Sequence, residues 1–404
     1  MVASAALQAA WAQAPAQPAP VFGAGTIQVL VDAVVTDRKD RPIRDLRAGD
    51  FRVYEDGALR EIVSFVAFGA PRPEEIAPPS SPSPEMEAPA AAPLVPASTV
   101  LFVDEGHLTA VEAARLRPAL MNVVRSLLER RGSILVLAPW SKVAYAGRLP
   151  GDLETVGEAV NHIQGRRVEQ LSTFPMTDAE ALEVERGDTQ ALTRLIARFQ
   201  YLNPGVTSSA ELLVRSRAEE LSSEERARRR DTFEAMGIGF AWLARQPGRH
   251  TFLMVTSGFV HDATDPGFAA LTNESMRANA PIHFLDAGSP QAFGRFEGIQ
   301  DKYPLPAQMR VSPFEAQDAV AGSDQLAVNT GGLHIDAADD SGLERIMDAT
   351  RHYYILGYDK APGQRPGFRR IKVEVTRKDA RVRSRRGYFD EGPKPPLPSP
   401  SPRS

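Results

Sequence analysis

The sequence contains no cysteine. Disulfides, thiolate metal ligands and a cysteine nucleophile are excluded, although the compartment is not fixed by this alone. No apolar run comes near the roughly 20 residues that a membrane-crossing helix needs. Basic residues are not in excess: 47 Lys and Arg stand against 51 Asp and Glu, a net charge of −4. No overall positive field therefore favours nucleic acid. Neither G-x-G-x-x-G nor G-x-x-x-x-G-K occurs, so the glycine-rich loops that cradle phosphates are missing.

What is present is a chain of 404 residues, 43% of them hydrophobic. That is enough for two or three packed domains at about 150 residues each. The first 22 residues, "MVASAALQAAWAQAPAQPAP" and two more, form a signal-like leader with small residues at a cleavage-type spacing near Ala14. No basic stretch precedes it. The expected location is secreted or periplasmic. Residues 71–97 and 391–404 are rich in Pro, Ser, Ala and Glu and read as a linker and a tail.

Between these lie three structured pieces. Residues 23–70 carry strand patterns, with Asp56-Gly57 separating two alternating runs. That dipeptide is a two-residue hairpin signal, because its turn requires positive φ. Residues 98–350 alternate buried strands with helices, which predicts a doubly wound, mostly parallel α/β sheet. A long helical pattern over 208–246 ends in an amphipathic stretch with Phe233, Met236, Phe240 and Leu243 on one face. Residues 351–390 return to alternating strands, with turns expected near Pro362-Gly363 and Lys378-Asp379. Each terminal β set is too small to be stable alone. The expectation is that they pair into a β-sandwich into which the α/β domain is inserted.

Several blocks resemble the VWFA-related domain family known from Acidobacteria. They include "VVTDRKDRPIRDLRAGDFRVYEDGALREIVSF", "RQPGRHTFLMVTSGF", "LAVNTGGLHID", "YYILGYD" and "RRGYFD", in the family's order and spacing. The resemblance covers most of the chain and implies a von Willebrand A-like fold whose usual work is protein–protein adhesion or scaffolding. It also implies a place to look for a metal-ion-dependent adhesion site, built from D-x-S-x-S, a Thr and a second Asp. Here Asp104 matches the leading acid. Gly106 and Leu108 stand where the two Ser residues belong, Pro150 where the Thr belongs and Ser257 where the second Asp belongs. A magnesium ion needs near-octahedral oxygen ligation, so the site is expected to be degenerate and no cofactor is expected. Asp104 keeps the expected acid, and Ser257 is a weaker ligand than the acid it replaces. The alternative role of Asp104 is a strand-end acid that caps the next helix or accepts bonds from loop amides.

The reading that follows is an exported protein-binding or scaffold module that is not an enzyme, with no nucleic acid and no integral membrane span. Its binding surface is expected on the loops at the carboxyl end of the sheet: Asp104, Glu105, His107, Asp152, Ser257, His261, Asp262 and Asp286, extending to Ser289. Two alternatives stay open. One is a metal-dependent adhesion protein with a non-standard ligand shell drawn from Glu105, His107 or Asp262. The other is a hydrolase using Ser257, His261 and Asp262, although these lie close together in one loop with no G-x-S-x-G turn. The charge run "EERARRR" at 224–230 is expected to be a solvated helix face, and the basic row near 377–386 a solvent-facing strand edge. The tyrosines of "HYYILGYD" are expected to pack at the join of two domains.

Overall fold

The computed structural model describes residues 28–69, 97–127, 132–149, 151–167, 174–247, 249–287, 320–336, 339–361 and 365–390, with Pro306 and Asp318 besides. The leader, nearly all of the Pro-rich linker, Pro150, the Pro362-Gly363 turn, Ser289 and the tail lie outside the described residues.

The amino-terminal piece supplies four strands, β1 (Gln28–Thr36), β2 (Phe51–Glu55), β3 (Ala58–Arg60) and β4 (Ile62–Phe68). Asp56 and Gly57 both take positive φ, +50° and +84°, and close the β2–β3 hairpin with two residues. The central piece runs β5 (Ala97–Val103), α1 (Ala110–Leu127), β6 (Ser133–Ala138), β7 (Val143–Arg148) and α2 (Leu153–Asn161). Three helices follow, α3 (Asp178–Glu185), α4 (Thr189–Leu202) and the 34-residue α5 (Ala210–Leu243). Then come β8 (Arg249–Thr256), α6 (Pro266–Arg277), β9 (Ile282–Asp286), α7 (Ala321–Thr330), β10 (His334–Asp336) and α8 (Asp340–Arg351). The chain ends in β11 (Tyr353–Asp359), β12 (Gly367–Val375), β13 (Arg381–Ser384) and β14 (Gly387–Asp390).

The central strands form one six-stranded sheet in the order β10-β9-β8-β5-β6-β7. Every pairing is parallel except β6 with β7. Both faces are covered, which is why the strands read as unbroken apolar runs. Leu101 and Val103 join Leu120 and Val124 of α1 and Ile346 of α8 in one core. Val100 and Phe102 join Phe233, Met236, Phe240 and Leu243 of α5 in the other.

The two chain ends interleave. β1 lies between β11 and β13, and β2 between β3 and β12, giving two four-stranded sheets, β13-β1-β11-β4 and β14-β12-β2-β3. A single core of Val31, Phe51, Val53, Leu356, Tyr358 and Ile371 fills the space between them. Polar locks cross the same join. The buried Glu55 carboxylate accepts from Arg60 at 2.7 Å and from the hydroxyls of Tyr358 and Tyr388 at 3.2 and 2.6 Å. Tyr353 stacks on Phe68 with ring centroids 4.5 Å apart and packs with Ala349 of α8, at the seam between sandwich and α/β body.

Tyr354 packs against Phe51 at 5.0 Å, donates its hydroxyl to Ile43 O at 2.8 Å and accepts from Leu46 N at 3.3 Å. Replacing it with Phe leaves both backbone groups without that partner while keeping the ring. Tyr354→Phe is expected to lower unfolding free energy by about 1–3 kcal/mol, read from the denaturation midpoint at unchanged slope.

Candidate functional site

β5 is a buried apolar strand, and it delivers Asp104 to the carboxyl end of the central sheet. The Asp104 backbone N–H bonds to Val255 O, pinning this strand end to β8. Its carboxylate is only 1% exposed and is filled by three donors. The Thr232 hydroxyl donates to Oδ1 at 2.8 Å, and the Thr256 hydroxyl to Oδ2 at 2.8 Å. His107 Nδ1 sits 2.7 Å from Oδ2, brought there by a tight turn in which His107 N bonds to Asp104 O.

The other ring nitrogen of His107 faces a second carboxylate, with Nε2 3.2 Å from Glu225 Oε2. Both carboxylates and the imidazole are nearly sealed from solvent. Burial by itself pushes His107 down, but the charges of Asp104 and Glu225 outweigh it and raise the imidazole to about 9. Burial pushes Glu225 up, and the His107 charge, then Arg228 and Arg229, reverse that and hold it well below the usual carboxylate range. The imidazole is therefore doubly protonated and bridges two carboxylates.

The network continues along α5. Arg228 bonds to Glu225 at 2.9 Å and to Asp178 of α3 at 3.2 Å, and Asp178 also holds Arg167 at 3.0 Å. Arg229, 1% exposed, reaches Asp265 at 2.9 Å. The run 224–230 is thus not the solvated face expected of it. Arg226 and Arg230 face outward, but Glu225 and Arg229 are interior. The reason lies in helix periodicity: Val214, Ala218, Leu221, Glu225, Arg229, Thr232, Met236, Phe240 and Leu243 continue one buried stripe at three- and four-residue steps. A charged pair occupies the middle of an apolar seam. That spacing was the available signal for Glu225, Arg229 and Thr232, and composition concealed it.

The remaining candidate residues separate. Glu105, fully buried, accepts from Ser141 N at 2.7 Å, from the Ser141 hydroxyl and from Gln164 N at 3.0 Å, so it anchors two neighbouring loops. Leu108 is fully buried in the core. The cap of α1 is Thr109, whose backbone N–H and hydroxyl bond to Glu112 at 2.8 and 3.0 Å. Asp104 neither caps that helix nor holds loop amides, because its oxygens are taken by side-chain donors. Asp152 accepts from Arg148 N at 2.6 Å in the turn before α2, apart from the network. Asp262 is held by Arg186 at 3.1 Å and by Thr264 at 2.7 Å. His261 packs edge-on against Phe268, its Nδ1 buried without a hydrogen-bond partner. Ser257 is 6% exposed. Nδ1 of His261 bonds to neither Ser257 nor Asp262. Asp286 lies 3.7 Å from His334, which also binds Asp324, and those two carboxylates raise His334 to about 9 against the burial that lowers it.

The residues expected as a binding surface are therefore mostly interior. A small helical unit roofs this end of the sheet. α3, α4 and the first half of α5 share a core of Phe174, Leu195, Val214 and Leu221. Ala179 and Leu182 of α3 pack on Val260, and Arg186 bonds to His261 O.

Every donor around Asp104 presents a hydrogen, and one of them is itself a cation. Among the described residues no group of three or more His, Asp or Glu side chains is placed to hold a metal. Nor is His107 a general base, since both nitrogens are engaged and no lone pair is open. The chain matches no protein-family model and no curated protein.

Removing the imidazole leaves two buried carboxylates without their shared cation. His107→Ala is expected to cost about 3–5 kcal/mol, measured by urea denaturation near pH 6. The pH dependence has two arms. His107 stability is fully present below the unfolded value of 6.5 and is lost as pH rises through about 9. Glu225 stability is present above 4.5 and is lost as pH falls toward its lowered native value. Thermal melts across pH 3–10 should plateau between the two arms, and His107→Gln should shrink the alkaline arm to the share due to His334.

Proposed function

We propose that the chain is an exported protein-binding or scaffold module with a von Willebrand A-like domain whose metal-ion-dependent adhesion site is degenerate. The observation that carries this reading is the His107 imidazolium between Asp104 and Glu225. It sits against Asp104, the acid that the resemblance matches to the leading ligand of the ion, and it supplies a compensating charge. A bound cation keeps a coordination position open for a partner's carboxylate. An imidazolium with both N–H groups spent keeps none. Recognition then rests on the fit and polarity of exposed surface, outside the roofed crest.

The mostly parallel sheet with helices on both faces is compatible with an A-type domain. No helix among the described residues is long and apolar enough to cross a membrane.

The test is calorimetric titration of the full chain with magnesium and manganese, together with partner capture from the native envelope fraction. No saturable heat and no thermal shift are expected. A captured partner should retrieve the chain in the reciprocal experiment with equal yield in EDTA. A metal dissociation constant in the micromolar range, capture that EDTA abolishes, or no reciprocal partner at all would sink the reading.

A further inference from the structure

A second site lies at the opposite end of the central sheet, where the β-sandwich meets the α/β body. The seam leaves a pocket with about 30 Å3 of free room, the space of two or so water molecules. α6 and α7 end at it. Gly331, at φ +80°, closes α7 so near the β13–β14 connection that a Cβ there would stand 2.9 Å from Arg385 N. The walls are mainly apolar, from Val34, Met276, Ala280, Pro281 and Ala349.

Two arginines, Arg383 and Arg385, line this pocket. Arg385 donates to the carbonyls of Leu30 and Met276, yet its Nε is buried without an acceptor. Arg383 Nη1 is likewise buried and unbonded. Neither guanidinium has a carboxylate salt-bridge partner among the described residues, whereas the buried Arg198 and Arg229 and the half-buried Arg228 do. The carboxylate lining the pocket is Asp32, whose Oδ2 lies 3.4 Å from Asn279 Nδ2. The carboxyl ends of α6 and α7 offset part of the remaining positive charge, but neither supplies an acceptor to the two unbonded nitrogens. Burial pushes both arginines below their ordinary range: Arg383 to about 10, with Asp40 partly opposing it and Arg345 adding to it, and Arg385 with the charge of Asp32 partly opposing it.

Buried N–H groups on a cation, left without an acceptor, cost more than neutral ones. We propose that this pocket binds a carboxylate, with its two oxygens accepting from Arg383 and Arg385 and its alkyl neighbour lying against Val34 and Met276. One carboxylate fits the room and its two oxygens match the two unbonded arginine N–H groups, whereas a phosphate brings further oxygens and a second negative charge towards Asp32. The site is independent of the crest around Asp104, so it stands or falls apart from the function proposed above. The carboxylate has two possible sources, a free short-chain acid or the side chain of an acidic peptide.

The test is thermal and calorimetric titration of the full chain with propionate, inorganic phosphate and a blocked pentapeptide with one central Glu. Sodium chloride at equal ionic strength is the control. Propionate is expected to raise the melting midpoint by several degrees at saturation, and phosphate no more than chloride does. Tighter binding of the peptide identifies a polypeptide source; its exclusion while propionate binds identifies a free acid. Arg383→Gln removes no backbone hydrogen bond seen in the structure and should weaken binding at least tenfold with the fold intact, while Arg383→Lys recovers part of it. A propionate shift equal to that of chloride, binding unchanged in Arg383→Gln, or phosphate binding as tightly as propionate would each overturn the assignment.

Discussion

A buried carboxylate at the end of a parallel strand must be neutralised, and here the imidazolium of His107 does it. Asp104 cannot face solvent, because β5 is central in the sheet and the helical roof closes over its end. It cannot sit uncompensated either, since an isolated buried charge is far costlier than a paired one. His107 lies three residues away in a turn that aims Nδ1 at Oδ2. Its second nitrogen then recruits Glu225 from a helix more than a hundred residues later. Local turn geometry and long-range packing thus meet in one ring.

α5 carries the consequence through the molecule. Its first half is built into the core of the roofing helices and its second half into the core of the central sheet. The stretch between, from Glu225 to Thr232, holds both ends of the charge network: Thr232 on Asp104, Glu225 on His107, Arg228 on Asp178 of the roof and Arg229 on Asp265 before α6. A continuous helix of 34 residues spans roughly 50 Å. It fixes the roof relative to the sheet by covalent continuity, and the ion pairs set its rotation. An apolar seam alone would fill the same space with less directional preference. Buried polar groups are credited with such specificity in some systems.

Much of the architecture was readable from pattern. Asp56-Gly57 announced its hairpin because only that kind of pair takes two positive φ values cheaply. The unbroken apolar character of β5, β6, β8 and β9 announced a sheet covered on both faces. The smallness of each terminal β set pointed to their pairing, and Glu55 with Tyr358 and Tyr388 gives that join its polar lock. The crest was harder. Loops at the strand ends look exposed in a sequence, and nothing in residues 174–221 says that they fold back over Ser257–Asp262. Charge was also misleading. "EERARRR" looks solvated by composition, yet Glu225 and Arg229 continue the stripe of Val214, Ala218 and Leu221. Periodicity carried the information, and the eye for charge overrode it.

A buried imidazolium makes different demands on strand ends than an exchangeable metal ion does. A metal ion is exchangeable, needs several oxygens and must stay reachable, so the strand ends around it have to remain open. An imidazole is tethered, needs only two acceptors and tolerates complete burial once both are present. Helices can then close over the crest. The burial of Glu105, Leu108 and Ser257 is consistent with that order of constraints. At β9 a second strand-end acid, Asp286, also neighbours a histidine, His334, that a further carboxylate holds protonated. The same solution thus recurs at two strand ends of one sheet. Both pairs are strongest where imidazole is charged, so acidity in the mild range favours the closed crest, and alkali works against it from two places at once.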